Sequence, residues 1–465
     1  MAARSLQTQM TGVEVAGQNL ANVNTPGYSR QRVEIQTSPD LATRIGQEGT
    51  GANAVAIQQV VSSLLNNQIQ GQQSVNGYWS AQQGALQSAQ TGLNEFLDGA
   101  GSAESVSSSS DSAAGTGLSG QLNSFFRAFQ SLATSPTSLT GRQTAINQAR
   151  NLASTFNQIS AQLARTQSSL NASVGGDVDS ANGLLSNIAE LNRQISSAEF
   201  SGGTANNLRD QREQALEKIS QLTNITTSTG ANGAVDVSIG GQSLVSGSQV
   251  LDTLQTYDAG NGNLLVRTAA GGANLTLTGG SIQGTIDARD GTLATLQGNL
   301  NTVASNLITQ VNALYSGGYS LNGATGADFF SGTDASTIAV NPSLISDPSL
   351  VQASGDAGAP GDNSVALSIA TLADKTQSGL NNENFSDYYA QSVAGLGNDL
   401  SAANTQVRNQ TSVATMLFTQ RSSISGVNVD EEMVHLMAFQ RAYEASAQVV
   451  TTINALMGAT LAMKV

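Results

Sequence analysis

At both ends of the chain, residues recur at alternating intervals of three and four. Near the start these are Leu6, Met10, Val13, Gly17 and Leu20. Near the end they are Met433, Leu436, Gln440, Tyr443, Ala447, Val450, Asn454, Met457 and Leu461. This is the spacing at which helices pair along a coiled-coil seam. It predicts that the first and last segments meet, so that everything between them is an insertion into a domain discontinuous in sequence. Gly17, Gln440 and Asn454 weaken the seam as a stand-alone pair, and an Asn there fixes register at a cost in stability. Isolated helices are stabilised mostly by packing an apolar face. Leu6, Met10, Val13, Leu20, Leu436, Tyr443, Val450, Met457 and Leu461 are therefore expected to form an assembly interface that orders when subunits pack together. The plainer reading is an ordinary helix pair within one chain.

The C-terminal helix has a definite start. Asn428 is placed to cap it, with Glu431 three residues on. Asp430, Glu431 and Glu432 put negative charge at the positive end of its dipole, and Lys464 lies near the other end. A helix over 430–463 would be ~50 Å long. Helical periodicity also runs through 56–97, 122–170, 184–200, 209–222, 285–314 and 365–423, whereas the Ser-rich stretch 100–120 reads as a loop. The period changes over 224–283. There Val235, Val237 and Ile239 alternate with polar residues, as do Leu275 and Leu277. Asn232-Gly233, Gly240-Gly241, Asn261-Gly262 and Gly279-Gly280 punctuate these runs, which predicts a small antiparallel β unit with hairpin turns.

The expected fold is mainly α with a small antiparallel β domain, in which discontinuous terminal helical domains flank a β-rich insertion. Residues 1–25 with 427–465 form a terminal coiled-coil domain, 26–223 with 284–426 a helical domain, and 224–283 a β-rich outer domain.

Composition removes several function classes. The net charge of −14 disfavours nucleic acid and anionic membrane surfaces. The absence of cysteine removes disulfides, thiolate zinc sites and iron–sulfur clusters. With one histidine, His435, most transition-metal sites and Ser-His-Asp chemistry go as well, and that residue reads as a solvated or interface side chain. No cofactor and no metal are expected. The first 20 residues lack the apolar run of a cleavable signal peptide, and no stretch has the length of a membrane span. The GTGLSG stretch at 115–120 matches a dinucleotide fingerprint, but a Ser-rich loop precedes it where a strand is needed. Asp236, Asp252, Asp258, Asp287 and Asp290 form no recognisable catalytic set.

The most specific segment is ANVNTPGYSRQ at 21–31. Pro26-Gly27 fits a type II turn, Thr25 before proline is pushed to an extended conformation, and Asn22 and Asn24 suit caps or side-chain turns. With Tyr28 these residues make a helix exit followed by a sharp turn. The segment resembles the N-terminal signature of flagellar rod, hook and hook-associated proteins. The run SGVNVDEEMVHLMAFQRAYEASA at 425–447 resembles their C-terminal signature. Ser29-Arg30-Gln31 after the tyrosine, with NLRDQREQAL at 207–216, VNALYSGGYSLNGATGADFF at 311–330 and GDNSVALSI at 361–369, is nearest to the hook-associated protein 1 family of the hook–filament junction. Longer members carry a further β domain after the segment like 311–330, and only 331–360 occupies that interval here.

The resemblance implies a structural subunit and no enzyme. It implies export through the flagellar type III apparatus by an uncleaved N-terminal signal, and an extracellular place between hook and filament. Its implied partners are hook protein, the second junction protein, further copies of the chain, and a cytoplasmic export chaperone on the C-terminal helix. Two other readings use the same residues: another axial protein (hook or distal rod), which the helical block over 122–222 argues against, and a secreted adhesin, for which repeats would be expected.

Overall fold

The computed structural model describes residues 1–93, 117–200, 202–260 and 262–463. Most of the expected loop at 100–120, the first two residues of GTGLSG, Asn261 and Lys464 lie outside the described residues. Helices dominate: α1 (Ala2–Ala21), α2 (Ser63–Leu93), α3 (Leu118–Thr134), α4 (Leu139–Glu199), α5 (Asn206–Leu222), α6 (Gly280–Asp287), α7 (Ala294–Tyr315), α8 (Pro342–Ser346), α9 (Ser364–Ala370), α10 (Phe385–Ser425) and α11 (Val429–Ala462). Strands β1 (Gln31–Thr37), β2 (Leu41–Thr43), β3 (Gly46–Glu48) and β4 (Ala52–Gln59) separate α1 from α2. Six more precede α6: β5 (Ile225–Thr229), β6 (Val235–Ile239), β7 (Gln242–Ser246), β8 (Gln249–Val250), β9 (Leu254–Asp258) and β10 (Leu264–Thr268). A last pair, β11 (Phe330–Ser331) and β12 (Ala339–Val340), follows α7. The fold is mainly α with small antiparallel sheets, as the periodicities predict.

The chain forms two compact units, each built from separated segments. The first takes residues 1–78, 176–283 and 408–465. The second takes 79–175 and 284–407.

In the first unit, α1 packs along α11 and against the ribbon made by β1 and β4. That ribbon corrects the expectation of a helix from residue 56. Residues 52–59 are a strand paired antiparallel with β1, Val33 opposite Ile57, and helix begins only at Ser63. The β-branched residues Val55 and Ile57 suit a strand once a partner from 24 residues upstream of Ile57 is available, and that partner is invisible to local periodicity. The β unit contains a four-stranded sheet, β5-β6-β7-β8, and a hairpin of β9 and β10. Gly240 and Gly241 turn between β6 and β7 with φ of 55° and 81°, the backbone that a two-residue hairpin of primed type requires. Two asparagines of α4 hold this sheet region. Asn192 donates to Val235 O (2.8 Å) and Gly247 O (2.7 Å), and Asn182 pairs with the backbone of Leu254. Leu275 and Leu277 lie outside any strand, and Leu277 is buried. Gly279-Gly280 makes no hairpin: Gly280, at φ 82°, opens α6 where a Cβ would stand 2.3 Å from Thr223 N.

The second unit is closed by an aromatic core. Phe125, Phe126 and Phe129 recur on one face of α3 and meet Phe329, Phe330, Phe385 and Tyr315, with ring centroids 4.9–6.1 Å apart. Asn312 of α7 accepts from the backbone N–H of Phe329 (3.0 Å) and Phe330 (2.9 Å) and donates to Phe330 O (2.8 Å), which fixes the turn that delivers these rings. Asp362 accepts from Gly355 N (2.6 Å) and from the Ser364 hydroxyl (2.6 Å), closing the GDNS stretch ahead of α9.

Candidate functional site

The termini meet along an antiparallel pair with a regular layer spacing. The Ser5 and Ser446 hydroxyls are 2.9 Å apart. Gly12 faces Phe439, whose Cδ1 would lie 2.6 Å from a Cβ on the glycine. The Asn19 amide donates to Glu432 Oε2 at 3.0 Å. Positions 5, 12 and 19 thus advance by seven as 446, 439 and 432 retreat by seven, which is heptad geometry with small and polar groups inside. The fully buried residues of α1 are Thr8, Gly12, Val15, Ala16 and Asn19.

Asn19 satisfies every hydrogen-bonding atom of its side chain. Its Oδ1 accepts from Gln31 N (3.0 Å) and from the Tyr28 hydroxyl (2.9 Å). Its Nδ2 donates to Gln31 O (2.8 Å) as well as to Glu432. Glu432, only 4% exposed, also accepts from Arg30 Nε at 2.9 Å, and Arg30 reaches Glu431 with a second nitrogen at 2.9 Å. A buried carboxylate is tolerated only when paired and hydrogen-bonded, and Glu432 is both. The Tyr28 hydroxyl is pushed up to about 12 by burial and by the carboxylates of Asp210 and Glu432, so it stays a donor at any ordinary pH.

The signature turn is what brings Tyr28, Arg30 and Gln31 back onto α1. Tyr28 N donates to Thr25 O at 3.2 Å and Gly27 sits at φ 78°, the type II geometry expected for Pro26-Gly27. Asn22 donates to Gln18 O (2.9 Å) and accepts from the Thr25 hydroxyl (3.1 Å), while Asn24 is exposed. α5 holds the turn from the other side. Gln214 donates to Pro26 O (3.0 Å), and Asp210 accepts from Ser29 N (3.1 Å) and from Gln59 of β4 (2.8 Å). Asn428 caps α11, its oxygen accepting from Asp430 N (2.9 Å) and Glu431 N (3.5 Å).

Beside the turn lies a cleft of about 250 Å³ whose walls include Tyr28, Asp210, Glu213, Glu217, Phe418 and Arg421. Glu217 and Arg421 form an ion pair across it. Burial holds the carboxyls of Asp210 and Glu213 above their ordinary range. Among the described residues no group of three or more His, Asp or Glu is placed to hold a metal, and no helix is long and apolar enough to cross a membrane.

The residues of the expected assembly stripe are placed differently from the buried layers. Leu6, Val13, Leu20, Leu436 and Val450 are half-buried. Met10, Tyr443, Met457 and Leu461 are exposed, the last at 68%. The inward positions 5, 12, 19 and 432, 439, 446 each stand one residue before the stripe positions 6, 13, 20 and 433, 440, 447, a rotation of about 100° on a helix. From 451 to 463 every residue of α11 is exposed. Asn19 escaped the sequence reading, as did the joining of Arg30, Gln31 and Glu432 around it. The signal that carries them is the step of seven through Ser5, Gly12 and Asn19, easily passed over because none of the three is apolar.

The comparisons agree with this architecture. Residues 103–330 match the family model described as the helical domain of flagellar hook-associated protein FlgK, and residues 419–463 match the C-terminal model of flagellar basal body rod FlgEFG proteins. The flagellar hook-associated protein 1 of Bacillus subtilis (strain 168) is 28% identical, over 97% of this chain and 94% of that protein. The protein of the same name from Escherichia coli (strain K12) is 24% identical, over 98% and 97%. The structure of the flagellar hook junction protein FlgK from Burkholderia pseudomallei shares the fold, with a TM-score of 0.64 and 17% identity over 77% of this chain and 100% of that one. The two signature segments, the α helices between them and these near full-length matches make the chain similar to flagellar hook-associated protein 1 over nearly its whole length.

Proposed function

We propose that this chain is a structural subunit of the junction between hook and filament, assembled through its terminal helices. The observation that carries the reading is the mismatch along α1 and α11. Within the chain the two helices pair through Ser5, Gly12, Asn19 and their partners. The apolar stripe that includes Met10, Met457 and Leu461 is left outward. Exposed large apolar residues gathered on one element mark an interaction surface. In this proposal Leu6, Met10, Val13, Leu20, Leu436, Tyr443, Val450, Met457 and Leu461 pack against neighbouring subunits. Residues 1–25 and 427–465 act together as the terminal coiled-coil domain.

The same reading places hook protein on one side of the subunit and the second junction protein on the other, in an extracellular structure reached through the flagellar type III apparatus. Before export, a cytoplasmic chaperone covers the exposed end of α11. The role is mechanical and requires no cofactor.

The test is deletion in the source organism, with electron microscopy of the cell surface and an assay for flagellin in the medium. Hooks without filaments, with shed flagellin and recovery on restoring this chain, are expected. Missing hooks would identify a hook or rod protein instead, and normal filaments would overturn the proposal.

A further inference from the structure

The methionines are distributed in a way the rest of the molecule does not explain. Apart from Met1 they are Met10, Met416, Met433, Met437, Met457 and Met463, and the 405 residues from 11 to 415 contain none. Every one is exposed, from 41% for Met433 to 86% for Met463. The buried cores are built instead from Leu, Ile, Val, Ala and Phe. Two of them, Met10 and Met457, belong to the stripe proposed to receive a second copy of the chain, Met433 and Met437 lie on α11, Met463 just beyond its end, and Met416 on α10. Met433 and Met437, one turn apart, lie beside the inward residues Glu432 and Phe439 but point outside that contact. Met457 belongs to the stretch of α11 in which every residue is exposed, and Met463, exposed as well, follows its end.

A thioether is flexible and polarisable, so it fills irregular contacts well. It is also the one readily oxidised sulfur available, because the chain has no cysteine to compete for the oxidant. We propose that these methionines are a modification site at which hydrogen peroxide switches off docking of a second copy, without disturbing the fold. The inference rests on the assembly reading above and adds a chemical control to it. The methionine sulfur attacks one peroxide oxygen. An S–O bond forms, the O–O bond breaks, sulfur loses two electrons, and the peroxide is reduced to water. The sulfoxide is polar where the thioether was apolar. Buried against a second copy it would lose its water without gaining a partner. Since none of the six lies in a core, only docking is affected. A dithiol-dependent reductase reverses the change, taking the oxygen off as water while the dithiol becomes a disulfide.

The experiment uses the full-length chain and hook ends isolated from the deletion strain. The chain is treated with hydrogen peroxide, the oxygens added are located by mass spectrometry, and folding is followed by circular dichroism and thermal unfolding. Untreated chain is expected to add to the hook ends. Oxidised chain is expected to melt as before but to add about tenfold less or worse, with recovery after treatment by reductases for both sulfoxide epimers. In a partly oxidised sample, sulfoxide at Met433, Met437 and Met457 should be enriched in the unbound fraction. Equal sulfoxide content in bound and unbound fractions overturns the inference, as does loss of the fold on oxidation. If untreated chain fails to add, the assembly reading itself falls, and this inference with it. A variant with all six replaced by Leu, which conserves volume, should add equally with and without peroxide. Inhibition of that variant to the same extent would also overturn the assignment to methionine.

Discussion

The ring of Phe439 lies against the backbone of Gly12, so close that a Cβ on the glycine would stand 2.6–2.8 Å from three of its carbons. A residue that lowers helix stability when isolated is here the one that lets α1 and α11 approach. Gly12→Ala is expected to destabilise the terminal pair by about 1–3 kcal/mol. Phe439→Leu in the same chain should recover part of the loss. Thermal unfolding of the two single variants and the double variant closes the cycle, and strict additivity would show that the two residues do not share one contact.

Asn19 offers a second test. Its side chain makes four hydrogen bonds that join α1, the signature turn and α11. Asn19→Ala leaves Glu432 and the Gln31 backbone short of partners in a buried place, and is expected to cost about 2–4 kcal/mol in urea unfolding. Hydrogen exchange should show the loss first in α1 and the start of α11. Unchanged protection there would mean that the network is not what joins the termini.

The outward stripe should behave oppositely. Met457→Asp with Leu461→Asp alters two residues that are already 59% and 68% exposed, so the midpoint of unfolding is expected to stay within about 0.5 kcal/mol of the parent. Addition to hook ends should be lost. Normal addition by this double variant would remove α11 beyond Val450 from the interface.

The cleft beside Tyr28 makes stability depend on pH. Burial is the largest influence on Glu213 and raises it; the nearby Glu217 also raises it, while Gln70, Arg421 and Arg212 pull the other way. Asp210 is raised by burial as well, against its bonds to Ser29 and the charge of Arg421. A raised carboxyl binds its proton more tightly in the folded chain than in the unfolded one. The associated stability is present below the unfolded value and is lost as pH rises through the folded value. Glu213→Gln is therefore expected to raise the melting temperature near neutral pH, with the gain shrinking as pH falls toward about 4. A gain that grows on acidification would contradict burial as the dominant influence.

Much of this architecture is legible in one dimension. Most helical periods, the alternation through Val235, Val237 and Ile239, the Pro26-Gly27 turn and the Asn428 cap depend on neighbours within a few positions, and the structure has these where the sequence places them, whereas the strand expected at Leu275 and Leu277 is absent. The β1–β4 ribbon is different. Its strands are 24 residues apart across their Val33–Ile57 pair, and an isolated reading of residues 56–59 favours the helix that follows.

The sequence by itself determined that the two ends are helices able to pair, and it marked the apolar stripe along each. It could not say which face turns inward, because a helix buries whichever face finds complementary shape and hydrogen bonds. The tertiary structure decided that. Gly12 admits the Phe439 ring, Asn19 meets Glu432, and Arg30, delivered by the signature turn, neutralises that buried carboxylate. These contacts select a face one residue away from the stripe, and so leave the stripe half-buried at Leu6, Val13, Leu20, Leu436 and Val450 and exposed at Met10, Tyr443, Met457 and Leu461.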